Sequence, residues 1–347
     1  MSDLHGTDSR LPGPVMIRAA VERFPLEEPF HITGHTMVDA IVLTVEIESN
    51  GVVGRGEASG VYYRRFDNPE ENLRQIETLR SELQTGLDRH ALRVLLPPGG
   101  SRNALDCALW DLQAKVTGRP AWQSAGIQTP TPLLTTFTVG ANEPDKMAAD
   151  ARNYRGARAI KLKLTGRPID AERVQAVRAA CPDVWLGVDA NQGFTREFLN
   201  ALLPVLVQAR VQLIEQPFQI GAEALLDGLQ CPIPIAADES AQSLEDLPQL
   251  VGRFNVVNIK LDKCGGLTEA LLMASRARQL GLDVMVGNMV GTSLAMAPAF
   301  LVGQLCNVVD LDGPVFLRRD RSSAVRYEEG MISCPPELWG YPVTRLV

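Results

Sequence analysis

The chain reads Ile160-Lys-Leu-Lys163, Val188-Asp-Ala-Asn-Gln192, Ile214-Glu-Gln-Pro217, Ala237-Asp-Glu-Ser240 and Asn258-Ile-Lys260, each at or near the end of an apolar run of strand length. From Lys163 to Asp189, Glu215, Asp238 and Lys260 the gaps are 26, 26, 23 and 22 residues. Each gap is long enough for one strand, one helix and two short loops. Five successive βα units therefore deliver amine, three carboxylates and amine to the same rim of one sheet.

The same alternation extends in both directions. Strands are expected at Leu133–Thr138, Ala159–Leu164, Trp185–Asp189, Gln212–Glu215, Ile233–Ala237, Val256–Lys260, Asp283–Val286 and Val308–Asp310. Helical periodicity between them, as in Ala171–Ala180, Glu197–Gln208 and Leu267–Leu280, predicts an α/β parallel barrel. An open doubly wound sheet is the alternative, but no Gly-rich nucleotide fingerprint follows a first strand.

Upstream, Val15–Val21, Ala40–Glu48 and Gly51–Glu57 alternate as an antiparallel meander with Ser49-Asn-Gly51 as its hairpin turn. Helices are expected from Pro69 to about Leu87 and from Ser101 to about Lys115, the second stopped by Thr117-Gly-Arg-Pro120. The expected organisation is an α+β domain over 1–130, a barrel over 131–316 and a segment 317–347 that returns to the first domain.

The 347 residues suit a barrel of about 250 residues plus a smaller partner. A net charge of −7 argues against nonspecific nucleic-acid binding. No apolar run reaches the length of about 18 residues that spans a bilayer. The start, Met1 to Arg10, lacks the apolar core of a signal peptide and reads as a tail, so a cytoplasmic protein is expected. The six cysteines show no metal-ligand spacing and are expected to be reduced, with Cys264 a small packing residue rather than a reactive one.

Asp189, Glu215 and Asp238 form an all-oxygen, trianionic set that suits Mg²⁺ or Mn²⁺ rather than zinc. Lys163 and Lys260 stand on the second and sixth barrel strands, on opposite walls. One amine on each face of a planar intermediate can remove a proton from one side and return it from the other, which inverts a stereocentre. As a base, a lysine must lose much of its ordinary basicity. Lys161 shares a face with Lys163, where it could bond a substrate carboxylate and lower the basicity of Lys163 by repulsion. Asn191 and Glu239 read equally as groups orienting the ligands and as helix caps or loop residues.

These segments, continued by Lys260-Leu-Asp-Lys-Cys-Gly-Gly266 and preceded by Asn103-Ala-Leu-Asp-Cys-Ala-Leu-Trp-Asp-Leu112, resemble the enolase superfamily, specifically its muconate-lactonizing subgroup. The resemblance runs from about Val15 over nearly the whole chain. It implies a modified (β/α)7β barrel, a capping domain built from both termini, and Mg²⁺-dependent proton abstraction α to a carboxylate, with one ion per subunit in a homo-oligomer. In Val309-Asp-Leu-Asp-Gly-Pro314, Asp310 and Asp312 lie two apart and resemble the acidic pair with which dipeptide epimerases hold a substrate ammonium group; an ordinary turn is the plainer reading.

The resemblance extends substrate contact to Thr136, Asn288 and Val290, and to loops Pro29–Thr36 and Ser59–Phe66 closing over the second residue of a dipeptide. Epimerases acting on L-Ala-D/L-Glu, a product of peptidoglycan turnover, carry an arginine in the first loop. Here that loop offers His31 and His35 instead; Arg64 or Arg65 could supply the cation from the second, and reads equally as a solvated surface arginine. N-acylamino acid racemases and o-succinylbenzoate synthases are the enzymatic alternatives on this scaffold, and an inactive binding protein is the non-enzymatic one.

Overall fold

The computed structural model describes residues 14–32, 35–86 and 88–342, without the side chains of Ile32 and His35. The expected tail, Met1 to Arg10, lies outside the described residues.

The N-terminal meander is β1 (Met16–Ile32), β2 (His35–Ser49) and β3 (Val52–Ala58), antiparallel in that order. The β2–β3 turn is the expected one, with Asn50 and Gly51 at φ of 50° and 79°. β1 runs well past the expected Val21, through Pro25 and Pro29, with its register shifting between Pro25 and Phe30. Its edge position tolerates prolines, whose missing N–H would break an interior ladder. β3 presses on the helix Gly100–Thr117: a Cβ at Gly54 or Gly56 would stand 2.2 Å from the Ala108 carbonyl or 2.0 Å from that of Ala104. This contact seals an apolar core of Leu43, Val45, Ile47, Ala104, Leu105 and Leu112. The helix expected over Pro69–Leu87 is two helices, Pro69–Thr78 and Arg80–Gln84, parted at Leu79, where φ −102° and ψ 10° leave the helical region. A further helix covers Arg89–Leu95.

The chain then forms β4 (Leu133–Leu134), followed by the eight strands of a parallel sheet. These are β5 (Phe137–Val139), β6 (Ala159–Lys163), β7 (Trp185–Asp189), β8 (Val211–Glu215), β9 (Ile235–Ala237), β10 (Val256–Ile259), β11 (Asp283–Val286) and β12 (Val308–Val309), neighbours in sequence order. The Thr136 N–H donates to the Val309 carbonyl at 2.9 Å, so the two edges meet and the sheet curls shut. Between the strands the connecting segments range from full helices, as over Asp170–Ala180 and Leu267–Gln279, to the single 3₁₀ turn Glu223–Leu226.

One expected strand is divided. Leu133–Leu134 leaves the barrel and pairs with β14 (Met331–Ser333), which itself pairs with β13 (Arg326–Glu328). The break is at Thr135, whose N–H donates to the Gly330 carbonyl at 3.1 Å while its hydroxyl accepts from the Leu311 N–H at 2.9 Å.

The C-terminal segment touches both layers. Beyond its pairing with β4, Arg318 N–H bonds the Pro25 carbonyl at 2.9 Å, Trp339 Nε1 donates to the Arg55 carbonyl at 2.9 Å, and Gly340 N–H donates to Asp111 Oδ1 at 2.8 Å.

Candidate active site

Parallel register places the charged residues. Lys163 pairs with Asp189, Asp189 with Glu215, and Glu215 with Ala236. Alternate residues of a strand share a face, so Asp238, two beyond Ala236, joins the carboxylates. Lys260 follows the end of β10, and Asp310 and Asp312 follow β12. The ligand atoms of Asp189, Glu215 and Asp238 lie within 4.8 Å of one another, and all three residues are buried.

The lysines meet this triad from both sides. Lys163 Nζ lies 2.5 Å from Asp189 Oδ2, and Lys260 Nζ lies 2.6 Å from Asp238 Oδ2. β6 and β10 are four strands apart in an eight-stranded ring, hence on opposite walls. Lys161 Nζ bonds Asp310 and reaches Glu215 Oε2 at 3.3 Å and Asp189 Oδ2 at 3.9 Å.

The donor set fits a hard cation. All three groups are carboxylates, and burial followed by the charge of Asp189 pushes Glu215 up to about 8. That is what a trianionic cluster does when its charge is under-compensated, and a divalent ion would relieve it. Buried oxygens beside the triad, Asn191 Oδ1 and Glu239 Oε2, have no partner within the protein. Asn191 donates its backbone N–H to Asp189 Oδ1 at 2.8 Å and its Nδ2 to Glu239 Oε1 at 3.3 Å. The capping alternative fails for both residues, because Thr195 and Ser243 cap the helices that follow.

The neighbouring carboxylates dominate the lysine electrostatics. Burial works to lower the pKa of Lys260, but the charges of Asp238, Glu215 and Glu239 outweigh it and hold the amine well above its ordinary range. Lys161 is likewise held up against burial by Asp310, Glu215 and Asp189. The sequence shows the amines but hides how closely the carboxylates approach them.

The last strand divides its acidic pair. Asp310 bonds Lys161 and the Thr136 hydroxyl. For Asp310, burial is outweighed by Lys161 and the carboxyl pKa is lowered. Asp312 accepts from the Thr138 N–H at 2.6 Å and from Asn288 Nδ2 at 3.4 Å. Burial and then the charge of Asp310 push Asp312 up to about 6. Asn288 Nδ2 also donates to the Asp310 carbonyl at 2.6 Å. The turn reading of this pair therefore understates it, since both carboxyls are buried and engaged at the barrel mouth.

Three residues beyond the sequence-derived set serve the triad, and a fourth, Asp262, holds the capping loop. Lys263, fully buried, donates to both Asp238 Oδ1 and the Asp238 carbonyl at 2.5 Å. Asn258 Nδ2 donates to Glu215 Oε1 at 2.6 Å. Gln216 Oε1 accepts from the Asp238 N–H at 2.9 Å. Asp262 Oδ1 accepts from the N–H groups of Ser59 and Gly60 at 2.8 and 3.1 Å, gripping the start of the second capping loop. The spacing Lys260-Leu-Asp-Lys263 was the available clue, because one helical turn brings Lys263 back towards its own strand.

The same loop is held at its other end. Arg64 donates to Gln242 Oε1 at 2.7 Å and to the Lys263 carbonyl at 3.2 Å, so it fastens the loop to the barrel. Arg65 is exposed beside the Phe66 ring, 5.1 Å from its centroid. Ser59 Oγ donates to the Val290 carbonyl at 2.8 Å. In the first loop, exposed His31 shares a 3.0 Å contact with Thr36, and its carbonyl accepts from the Ala141 N–H at 3.2 Å, which holds this hairpin end near the end of β5. The side chain of His35 lies outside the described part of the structure. Buried Cys264 has its thiol pushed up to about 12 by burial, consistent with packing rather than reactivity.

Asp262 provides a pH test of the loop anchor. Burial and then the charge of Asp67 raise its carboxyl to about 7 from an ordinary 3.8. A raised carboxyl binds a proton in the folded state that the unfolded chain has already lost, so stability falls as pH rises between the two values. From about pH 4 to about pH 7 the parent should lose stability relative to Asp262→Asn, measured by urea unfolding. A gap that does not vary with pH would contradict this.

This barrel rim, with buried carboxylates on three successive strands and amines on opposing walls, defines a protein of the enolase class. The model of the mandelate racemase / muconate lactonizing enzyme N-terminal domain matches residues 15–126, and that of the enolase C-terminal domain-like family matches 145–342. The chain belongs to the enolase superfamily, in its mandelate racemase / muconate lactonizing group.

Among its relatives, an L-Ala-D/L-Glu epimerase from Escherichia coli K12 is 39% identical over 316 residues, covering 90% of this chain and 98% of that one. An N-acetyl-D-glutamate racemase from a Pseudoalteromonas species is also 39% identical, over 82% of this chain and 91% of its own. An Agrobacterium tumefaciens enolase family member with homology to dipeptide epimerases, solved with sodium and L-Ala-L-Glu, superposes with a TM-score of 0.91 at 41% identity, covering 94% of this chain and all of that one. A Methylococcus capsulatus dipeptide epimerase with Mg and L-Arg-D-Lys gives a TM-score of 0.87 at 30% identity, covering 93% and 97%. No described helix is long and apolar enough to cross a membrane.

Proposed function

We propose that the protein is a Mg²⁺-dependent dipeptide epimerase that inverts the α-carbon of the second residue, with L-Ala-D/L-Glu the first substrate to try. The observation that carries this reading is the placing of Lys163 and Lys260 on opposite walls of a buried carboxylate triad, beside an Asp312 with no bonded cation among the described residues. Names of relatives and ligands of similar solved structures support it.

In this reading Asp189, Glu215 and Asp238 hold the ion, with Asn191, Glu239, Lys263 and Asn258 fixing their orientation. When bound, the ion supplies Lewis-acid stabilisation of the charge that develops as the α-proton leaves. Lys163 and Lys260 alternate as base and acid on the two faces of the substrate α-carbon, so one removes the proton and the other returns one. Its carboxylate partners hold Lys260 as an ammonium group, the form needed by the returning acid. Lys161, kept charged by its carboxylates, would face the substrate carboxylate, with Thr136 steadying Asp310. Asp312 would receive the substrate ammonium, and Asn288 orients that carboxyl. Val290 would lie along the second residue. The division at about residues 130 and 317 into cap, barrel and returning segment belongs to the same proposal.

Asp312→Asn tests the substrate class. Turnover of L-Ala-L-Glu should fall about 10²-fold or more, the scale of one lost charge-assisted contact, while the increase in melting temperature on adding Mg²⁺ is retained. Full activity on N-acylamino acids, with none on dipeptides, would move the protein to the racemase alternative. Asp238→Asn should instead abolish that Mg²⁺-dependent gain, which for a parent saturated about 100-fold above Kd corresponds to roughly 2.7 kcal/mol. An unchanged gain would exclude Asp238 as a ligand.

A further inference from the structure

Away from the barrel mouth, a cleft of about 400 Å³ opens between the helix Arg89–Leu95, the helix Gly100–Thr117 and the barrel helix Leu267–Gln279. Arg89, His90, Arg93 and Arg276 line it, with Trp110 and Leu272 among its apolar walls. No carboxylate is among the described lining residues, although the chain as a whole carries −7. The volume is that of a small-molecule pocket.

Arg89 is central to the cleft. Its guanidinium lies 3.5 Å from the centroid of the Trp110 ring, and its Nη1 is buried without a hydrogen-bond partner. Burial pulls its pKa down to about 10 against the attraction of Asp106 and Asp88, so nearby carboxylates under-compensate this cation. Those carboxylates are committed elsewhere: Asp106 bonds Thr268 and Asp88 caps the helix at Ala91. Arg93 is paired with Glu269 at 2.6 Å, and exposed Arg276 donates to a neutral side chain, Gln279, at 3.3 Å, with no carboxylate partner among the described residues. A buried donor without an acceptor is costly, and an arginine fork is suited to phosphate or carboxylate.

We propose that this cleft binds a small organic anion, with a phosphate or carboxylate group on an apolar body, at a site sharing no residue with the carboxylate triad. The anionic group sits against Arg89 and Arg276, and the apolar body lies along Trp110 and Leu272. This site does not depend on the identity of the substrate at the barrel mouth.

Calorimetry on the full Mg²⁺-loaded chain tests the site with phenyl phosphate and inorganic phosphate as probes. Phenyl phosphate should saturate one site and bind about tenfold more tightly than inorganic phosphate. Arg89→Gln and Arg276→Gln should each weaken it about tenfold or more, and Asp238→Asn should leave it unchanged. Indole emission should shift in the same titration, and not in Trp110→Phe. The proposal is overturned by an absence of saturation up to about 10 mM, by loss in Asp238→Asn without loss in Arg276→Gln, or by equal binding of the two probes. It is also overturned if the arginine variants change only the mass of the protein in solution, which would make the cleft a contact between copies.

Discussion

Lys260→Met and Lys163→Met should each abolish interconversion of the two epimers, with losses of about 10²–10⁴-fold or more, the contribution of a positioned general acid or base. The two defects should be mirror images. With Lys260 gone, the amine on β6 can still remove the α-proton from the epimer that presents it to that wall. Solvent deuterium then enters that epimer alone, and Lys163→Met reverses the preference. The asymmetry follows from the positions of β6 and β10 across the ring. It is read by proton NMR of each pure epimer in D₂O. Equal residual exchange of both epimers in either variant would show that the two lysines do not serve opposite faces.

Lys161→Met should destabilise the protein by about 3–5 kcal/mol in urea unfolding, because it leaves buried carboxylates without their cation. Lys161 is 3% exposed, and its partners Glu215 and Asp310 are equally enclosed. Breaking one side of such a contact costs more than replacing the whole of it. The double variant Lys161→Met/Asp310→Leu should therefore recover a substantial part of the loss. A single variant within about 1 kcal/mol of the parent would mean that solvent or a counter-ion already compensates Asp310.

Much of this site is legible in the sequence because the barrel repeats. Each carboxylate or amine stands where an apolar run ends, and parallel pairing converts similar sequence positions into a common height on the rim. Asp189 and Glu215 are directly paired residues, so reading one strand end nearly reads the next. The longer-range commitments are not legible in this way. Nothing near Thr135 indicates that its hydroxyl accepts from Leu311, 176 residues away, and thereby breaks the expected strand. Asp310 and Asp312 look equivalent two residues apart, yet only Asp310 bonds Lys161. Arg64 resembles a surface arginine until the cap is seated and its guanidinium meets the Lys263 carbonyl. Burial and pairing across domains decide these cases, and neither has a local period to read.

These same contacts tie the capping loop to the carboxylate triad. The loop Ser59–Phe66 is fastened by Asp262 at its start and by Arg64 near its end, both to the short turn that follows Lys260. Lys263, in that turn, holds Asp238. The capping loop and one wall of the site are thus held by the same turn.

Proton transfer at the α-carbon of the second residue of a dipeptide is read by mass spectrometry with NMR in D₂O. With Mg²⁺ present, L-Ala-L-Glu and L-Ala-D-Glu should each gain one deuteron at that carbon and converge on the same mixture of epimers. No α-deuterium in either, in protein that gains thermal stability with Mg²⁺, would show that the lysines do not transfer this proton.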